Sequence, residues 1–293
     1  MGKKRILITG ASGFIGRNLA EQLSKIFNVE TPVRAELDLM DTAMVKAYLK
    51  EKQFDAVVHC AGVGNTRKSK TDGLFENNLR IFKNVACCSN FFGKMIQMGS
   101  GAEYDKRGPL VRVHEKEFGR RVPVDEYGRY KYACSKYIEG ERNITCLRIF
   151  GCFGKYEDYK TRFISNAICK SLYGLPITIT NKNVVFSYLY VDDLVRIVEH
   201  FIERNGAHKF YNAVPDETSD LLSIANTVNK ISGNNLPVVV KNPGMGNEYS
   251  GNNSRLHLEL PDFKFMPMEQ SILKLYSWYR QNKETIDIKR LDD

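Results

Sequence analysis

The sequence predicts an α/β protein: a doubly wound parallel sheet with a smaller, interleaved C-terminal lobe. Three observations carry this. Apolar, strand-like runs alternate with amphipathic helical stretches through the first half of the chain. The first strand and helix are joined by "ITGASGFIGRNL", residues 8–19, which sets glycines at 10, 13 and 16. The run "KMIQMGS", residues 94–100, brings Ser100 to the carboxyl end of a strand, the edge where open α/β sheets bind ligands.

The elements follow in order. Residues 5–9 read as a short buried strand, and Phe14, Ile15, Leu19 and Leu23 then recur at helical spacing. "VETPV" (29–33) predicts a second strand, "TAMVKAYLKEK" (42–52) an amphipathic helix and "FDAVVHCAG" (54–62) a buried third strand. "LRIFKNVACCSNF" (79–91) predicts a helix and "KMIQMGS" the fourth strand. "YGRYKYACSKYIEGE" (127–141) reads as a long helix and "ITCLRIF" (144–150) as the fifth strand. Past Gly151 the alternation loosens, and loops rich in Lys, Tyr and Asn surround "FSYLYVDD" (186–193) and "HKFYNAV" (208–214). The expected division is a dinucleotide-binding domain over 1–155, with returning strands at about 185–215, and a substrate lobe from 156–184 and 216–293.

Composition narrows the function. A chain of 293 residues that is 43% hydrophobic can bury one large core or two unequal lobes. Its seven cysteines are odd in number and form no CxxC pair, which suits reduced thiols in the cytoplasm better than a disulfide framework. Five scattered histidines show no metal spacing, and no apolar run approaches the roughly 18 residues of a membrane span. The basic N-terminus runs straight into the glycine turn, unlike a signal peptide, so a cytoplasmic location is expected. The net charge of +9 is dispersed, with no dense basic tract or aromatic-laced motif, so neither a nucleic acid nor a membrane is the expected partner. A phosphate-rich small molecule or plain solubility fits that charge equally well.

The glycine turn suggests which one. Thinning the side chains between a strand and a helix lets backbone N–H groups approach an anion, and the helix dipole favours negative charge there. Gly10, Gly13 and Gly16 are therefore placed against a dinucleotide pyrophosphate, as in a Rossmann unit. Tyr127 and Lys131 stand four apart and share a helical face. An ammonium beside a phenol stabilises the phenolate, so such a pair can exchange a proton with an alcohol or a carbonyl.

With Gly10, Gly13, Gly16, Ser100, Tyr127 and Lys131 in place, the chain resembles the extended short-chain dehydrogenase/reductases nearly end to end. Matching segments include "LDLMD" (37–41), "VVHCAG" (57–62), "ENN" (76–78), "GSGAEY" (99–104), "LRIFGCFG" (147–154), "YVDD" (190–193) and "NSRL" (253–256). The resemblance implies that Ser100 hydrogen-bonds the reacting oxygen, Tyr127 is the acid/base and Lys131 holds the nicotinamide ribose. It further implies cofactor contacts from Ser12, Phe14 and Ile15, from Asp38 and Leu39 near the adenine, and from Cys60, Ala61, Gly62 and Asn78. A homodimer and a nucleotide-sugar substrate are implied in the same way, with Arg255 matching a family arginine; Gly101, Ala102 and Arg162, the last as a spare cation, are the other candidate substrate contacts.

A second pair, Tyr132 and Lys136, competes. Five residues of helix rotate a side chain by about 140°, so both pairs cannot face one site. Tyr127 is followed by Gly128 and preceded at four residues by Pro123, as in the family motif, and is the expected acid/base; Ser135, before Lys136, is the one mark favouring the other pair. The cofactor's phosphate state is read after the second strand. In "NVETPVRAELD" the acidic position that would hold a ribose 2′-OH falls near Val33, beside Arg34, with Glu30 and Glu36 close by. Arg34 suits a 2′-phosphate, so NADP(H) is favoured over NAD(H).

Departures from the family sort the reaction. The sugar 4,6-dehydratases place Asp-Glu after the hydroxyl residue, where this chain has Gly101 and Ala102. GDP-fucose synthases keep a Cys where Ala102 stands. A family arginine before "VDD" is replaced by Phe186. The expected activity is NADPH-dependent reduction of a nucleotide-linked 4-keto-6-deoxysugar to the alcohol. The alternatives are a C4 epimerase with retained NAD and a non-catalytic NADP-binding sensor or scaffold.

Overall fold

The computed structural model describes residues 2–64 and 73–291. In the first half, β1 (Arg5–Thr9), α1 (Phe14–Leu23), β2 (Asn28–Glu30), α2 (Thr42–Lys52), β3 (Ala56–His59), α3 (Leu74–Ala86) and β4 (Lys94–Ser100) alternate as the pattern predicts. After β4 come β5 (Leu110–Val113), α4 (Glu126–Ile138), β6 (Ile144–Ile149) and β7 (Gly151–Phe153). The second half adds α5 (Phe163–Leu172), β8 (Ile177–Ile179), β9 (Val185–Phe186), β10 (Tyr188–Tyr190), α6 (Val191–Glu203) and β11 (Phe210–Ala213). It ends with β12 (Ser219–Asp220), α7 (Leu221–Ser232), β13 (Val238–Val240), β14 (Tyr249–Gly251), α8 (Ser254–Glu259) and α9 (Met268–Gln281).

Six strands form the central sheet in the order β11-β6-β4-β3-β1-β2, every pair parallel. Successive side chains of a strand point to opposite faces, and each face is apolar here because helices cover both. Ile6, Ile8, Val58, Ile96 and Leu147 pack on one face with Leu19 and Leu23 of α1 and Leu194 and Val198 of α6. Leu7, Val57, Met95 and Cys146 pack on the other with Val45 and Leu49 of α2, Phe82 of α3 and Cys134 and Ile138 of α4. That double cover forces the continuous apolar runs seen in the sequence. The carboxyl ends of β1, β3 and β4 thereby share one edge of the sheet, and the candidate site lies along it.

A separate four-stranded sheet, β12-β9-β14-β5, stands outside the central one, with β7 paired to β10 and β8 to β13. Three readings of the sequence change. The second strand ends at Glu30, because Pro32 has no N–H to offer an edge ladder. The third helix begins at Leu74, just after Gly73 in the left-handed conformation, rather than at Leu79. Within the expected domain 1–155, β5 lies outside the central sheet and pairs with β14. Of the returning stretch 185–215, α6 and β11 pack on the central sheet, whereas β9 joins the outer one. Helices α5, α7 and α9 enclose a third core that includes Ile168, Ile224, Val228, Ile272 and Leu275.

None of the seven cysteines is paired. Among the described residues no group of His, Cys, Asp and Glu could hold a metal ion, and no helix is long and apolar enough to cross a membrane.

Glu157, between β7 and α5, is buried with the Ser165 hydroxyl on its carboxylate at 2.6 Å. Burial pushes its pKa up to about 8, against the smaller opposing effects of Ser165 and Arg162. The fold thus favours the protonated acid. Its stabilisation is fully present below the ordinary carboxylate range and is lost as pH rises towards 8. Glu157→Gln, which mimics the protonated form, is expected to raise the melting temperature by about 5 °C at pH 8 and by little at pH 4.5. Equal effects at both pH values, read by thermal unfolding, would contradict this.

Candidate active site

The turn after β1 is built by close backbone approach. Gly10 has φ of +70°, and a Cβ there would stand 2.7 Å from backbone atoms of Ala61, so this turn lies directly on the residues that follow β3. A Cβ on Gly16 would meet the Gly10 carbonyl oxygen at 2.2 Å. Gly13 is the N-cap of α1 and supplies no side-chain hydrogen bond, so the first-turn N–H groups are left for an anion. Ser12 and Gly13 are exposed at that end, and Phe14 and Ile15 are half-buried. A dinucleotide pyrophosphate fits this cradle.

Behind it, Thr9 Oγ1 and His59 Nδ1 meet at 2.8 Å and tie the ends of β1 and β3 together. Burial, then the charge of Lys131, lowers the His59 pKa to about 3, so this imidazole stays neutral and serves as a strut. Cys60 and Ala61 are half-buried and Gly62 is exposed along the edge that a cofactor would cross. Asn78 is committed differently from the expectation. Its amide is held by the backbone N–H and C=O of Val63 at 2.8 and 2.9 Å and by the Leu74 carbonyl at 2.9 Å. It shapes the loop after β3.

Beyond β2, the Arg34 guanidinium is 79% exposed and pairs with Asp38 at 3.2 Å. The Met40 amide, then Arg34, hold the Asp38 carboxyl below its usual range. Asp38, Met40 and Thr42 line a cleft of about 470 Å³ with Arg80 of α3, a second cation that the sequence reading did not single out. Leu39 is half-buried beside it.

Ser100 ends β4 and is buried. Its hydroxyl oxygen accepts a hydrogen bond from the Ala102 amide at 3.1 Å, and its own amide donates to Glu103 Oε1 at 2.9 Å, so Ser100, Gly101, Ala102 and Glu103 form one tight turn. Helix α4 docks on that turn. A Cβ at Gly128 would lie 2.8 Å from the Ala102 carbonyl oxygen and 2.7 Å from Pro123 Cβ, which is why glycine follows Tyr127. Asp125 caps the helix by accepting from the Gly128 amide at 2.9 Å.

Tyr127 is thereby set half-buried in the first turn of α4, its ring 5.4 Å from that of Tyr130. Lys131 is buried, donates to the Met98 carbonyl at 2.5 Å and stands 6.0 Å from the Tyr127 ring centre. Burial disfavours the Lys131 charge, but Tyr130 and Tyr127 more than offset this, and its pKa moves up. The structure therefore brings Ser100, Tyr127 and Lys131 together. The rival pair is elsewhere: Tyr132 stacks on Phe118 at 4.7 Å, and exposed Lys136 pairs with Glu139 at 2.8 Å.

Beneath the turn sits a buried ion pair. Glu103 Oε2 accepts from Arg148 Nε at 2.6 Å and from the Ser135 hydroxyl at 2.5 Å. Arg148 Nη1 donates to the Tyr104 hydroxyl at 3.0 Å, and Tyr104 donates to Asn212 Oδ1 at 2.8 Å. The Arg148 guanidinium also lies 4.3 Å from the Phe118 ring centre and 4.7 Å from that of Phe210.

Two expected substrate residues need comment. The Arg255 guanidinium is engaged within the protein: it donates to the Phe210 carbonyl at 3.1 Å and lies 3.9 Å from buried Glu115. It lines a cleft with His114 and His208, beside the start of β11. Arg162 is exposed at the N-cap of α5. Phe186 packs against Tyr188 and Tyr249 at 5.0 and 5.8 Å, giving this side of the site an aromatic wall. Tyr249 was not singled out from the sequence, since it reaches Gly101 through strand pairings distant in sequence.

A family model described as the NAD dependent epimerase/dehydratase family matches residues 6–213. The chain belongs to that family. A dTDP-4-dehydro-6-deoxy-D-allose reductase from a Streptomyces species is 24% identical to it over 323 residues, covering 96% of this chain and 97% of that protein. A GDP-L-colitose synthase from Yersinia pseudotuberculosis is 32% identical over 225 residues, covering 68% and 72%. Among solved structures, the GDP-mannoheptose C4 reductase from Campylobacter jejuni with NADP bound matches with a TM-score of 0.81 at 19% identity, over 96% of this chain and 99% of that one. At that identity the likeness concerns the fold.

For a family member with this geometry, Tyr127→Phe is expected to lower kcat by about 10²- to 10⁴-fold with cofactor affinity nearly unchanged, because only the proton donor is removed. Tyr132→Phe is expected to change kcat less than about twofold. Steady-state kinetics and cofactor titration check both, and the reverse pattern would move the acid/base to the second pair.

Proposed function

We propose that the protein reduces a nucleotide-linked 4-keto-6-deoxysugar to the corresponding alcohol, with NADPH as the preferred cofactor. One observation carries the reading. The Ser100, Tyr127 and Lys131 set is complete, while the two positions after Ser100, Gly101 and Ala102, carry no acid, base or thiol side chain. Reduction of a ketone needs no more than this.

When bound, the nicotinamide supplies the hydride. Tyr127 gives its proton to the former carbonyl oxygen, and Ser100 donates a hydrogen bond to the same atom. The positive charge of Lys131 favours the phenolate that Tyr127 leaves behind. Glu103 is committed to the buried pair with Arg148, and Glu157 lies within the smaller lobe with Ser165. Neither carboxylate is offered to the carbons beside the carbonyl. The nucleotide-sugar reductases among the relatives support the same reading of substrate and reaction. The NADP preference rests on Arg34, whose exposed guanidinium could exchange Asp38 for a ribose 2′-phosphate.

Incubation with NADPH and nucleotide-linked 4-keto-6-deoxysugars in heavy water tests the whole reading. One NADPH is expected to be consumed per sugar, with no enzyme-dependent deuterium at the carbons beside the carbonyl. Deuterium there would mean a base acts at those carbons. Interconversion of two alcohol epimers without net NADPH use would make the enzyme a C4 epimerase. In the same assay, Arg34→Ala should reduce the NADPH-over-NADH preference in kcat/KM by about tenfold, roughly 1.4 kcal/mol. An unchanged ratio would remove Arg34 from cofactor choice.

A further inference from the structure

The loop between β7 and α5 grips α1 beside the glycine cradle. The Asn18 amide donates to the Phe14 and Lys155 carbonyls at 2.8 and 2.9 Å, so Lys155 is tied to the first turn of the helix. Glu21, further along α1, is taken by the same loop. Lys155 pairs with it at 2.5 Å, and the Tyr156 hydroxyl donates to it at 3.0 Å. Tyr156 makes these contacts with φ of +71°, in the left-handed region, which a bulky residue enters only at a conformational cost. Glycine would adopt that backbone freely, so the side chain is what the position retains. Its ring lies 3.7 Å from the Arg17 guanidinium, and Trp278 of α9 packs against it at 5.4 Å.

Arg17 is exposed in the second turn of α1. Helical side chains lean towards the N-terminus of their helix, so that of Arg17 covers the first turn. This is the positive end of the helix dipole, and α1 carries no acidic residue in its first turn. The helical neighbour four residues on, Glu21, is occupied by Lys155 and Tyr156, and among the described residues Arg17 makes no ion pair. Positive charge is thereby gathered where the N–H groups of α1 already await an anion. A guanidinium held over a ring also keeps its in-plane N–H donors for a partner. We propose that Arg17 binds the pyrophosphate of the dinucleotide and that Tyr156 is the positioning residue that holds its guanidinium there. Resting on the dinucleotide reading of the cradle, this role differs from that of Arg34, because the pyrophosphate is common to NADPH and NADH.

Titration of the protein with NADPH and with NADH tests both roles. Arg17→Leu should weaken the two dinucleotides by the same factor, about tenfold. Tyr156→Gly, which removes the ring together with the backbone penalty, should weaken both about fivefold. In the Arg17→Leu background the same change should cost less than about twofold, because the cation it holds is gone. Tyr156→Phe, which keeps the ring beside the guanidinium, should restore most of the affinity that Tyr156→Gly loses. In steady-state assays the Arg17→Leu loss should fall on KM for the cofactor rather than on kcat. Unchanged affinities in Arg17→Leu would overturn the proposal. So would a loss confined to NADPH, which would assign Arg17 to the 2′-phosphate, or a Tyr156→Gly cost that persists in full without Arg17. Wild-type protein that bound neither dinucleotide would overturn the dinucleotide reading itself, and this assignment with it.

Discussion

A carboxylate and a guanidinium, Glu103 and Arg148, meet at 2.6 Å in the interior beneath Ser100, and the rest of the site is arranged around them. Removing two charges from water is costly, and their attraction compensates only when the remaining polar atoms are also engaged. Glu103 achieves this with the Ser100 amide on one oxygen and Ser135 and Arg148 on the other. Three elements are thereby fixed at once: the turn after β4, the middle of α4 through Ser135, and β6 through Arg148. The network continues through Tyr104 and Asn212 to the backbone of Val113 and Asn252, which carries it into the outer sheet. Arg148 Nη2 has no hydrogen-bond partner in this arrangement, and aromatic rings, at 4.3 Å for Phe118, face the guanidinium instead.

This anchoring has a chemical consequence. Glu103 is the acidic residue nearest Ser100 in the chain, and its structural use withholds it from proton transfer. Under the proposed reduction, the groups offered to the substrate oxygen are hydroxyls and an ammonium, which donate hydrogen bonds and stabilise developing negative charge. Helix α4 contributes the other half of the alignment, because contact between Gly128 and the Ala102 carbonyl sets Tyr127 relative to Ser100. Lys131 is fixed on the same strand by the Met98 carbonyl. The close approach of Gly128 and the Lys131 side chain thus add to the buried pair in joining strand, turn and helix.

What the sequence made legible was local. The glycines at 10, 13 and 16, and Tyr127 with Lys131, lie within one turn or one helical face, so spacing raised them as candidates, and Pro123 and Gly128 of the family motif chose Tyr127 over the equally spaced Tyr132. The outer sheet was not legible, because β5, β9 and β14 are two to four residues long and carry no periodicity of their own. Tyr249 escaped for that reason: its place beside Gly101 follows from pairing with Phe186 and Leu110, which no local pattern records. Arg255 was read from its motif as a substrate residue, but Glu115 and the Phe210 carbonyl draw its guanidinium to the side of β11. Asn78 lay in a matching segment, yet its amide is committed to Val63.

The central claim is that the Glu103–Arg148 pair, rather than local turn propensity, holds the turn after β4 in place. Equilibrium unfolding of Glu103→Leu, Arg148→Met and the double variant tests it most directly. Each single change should cost about 3–5 kcal/mol, because it strands an unpaired charge, and the double variant should recover most of that loss. If the single changes cost less than about 1 kcal/mol, or if the double variant loses their sum, the pair is not the anchor of the site.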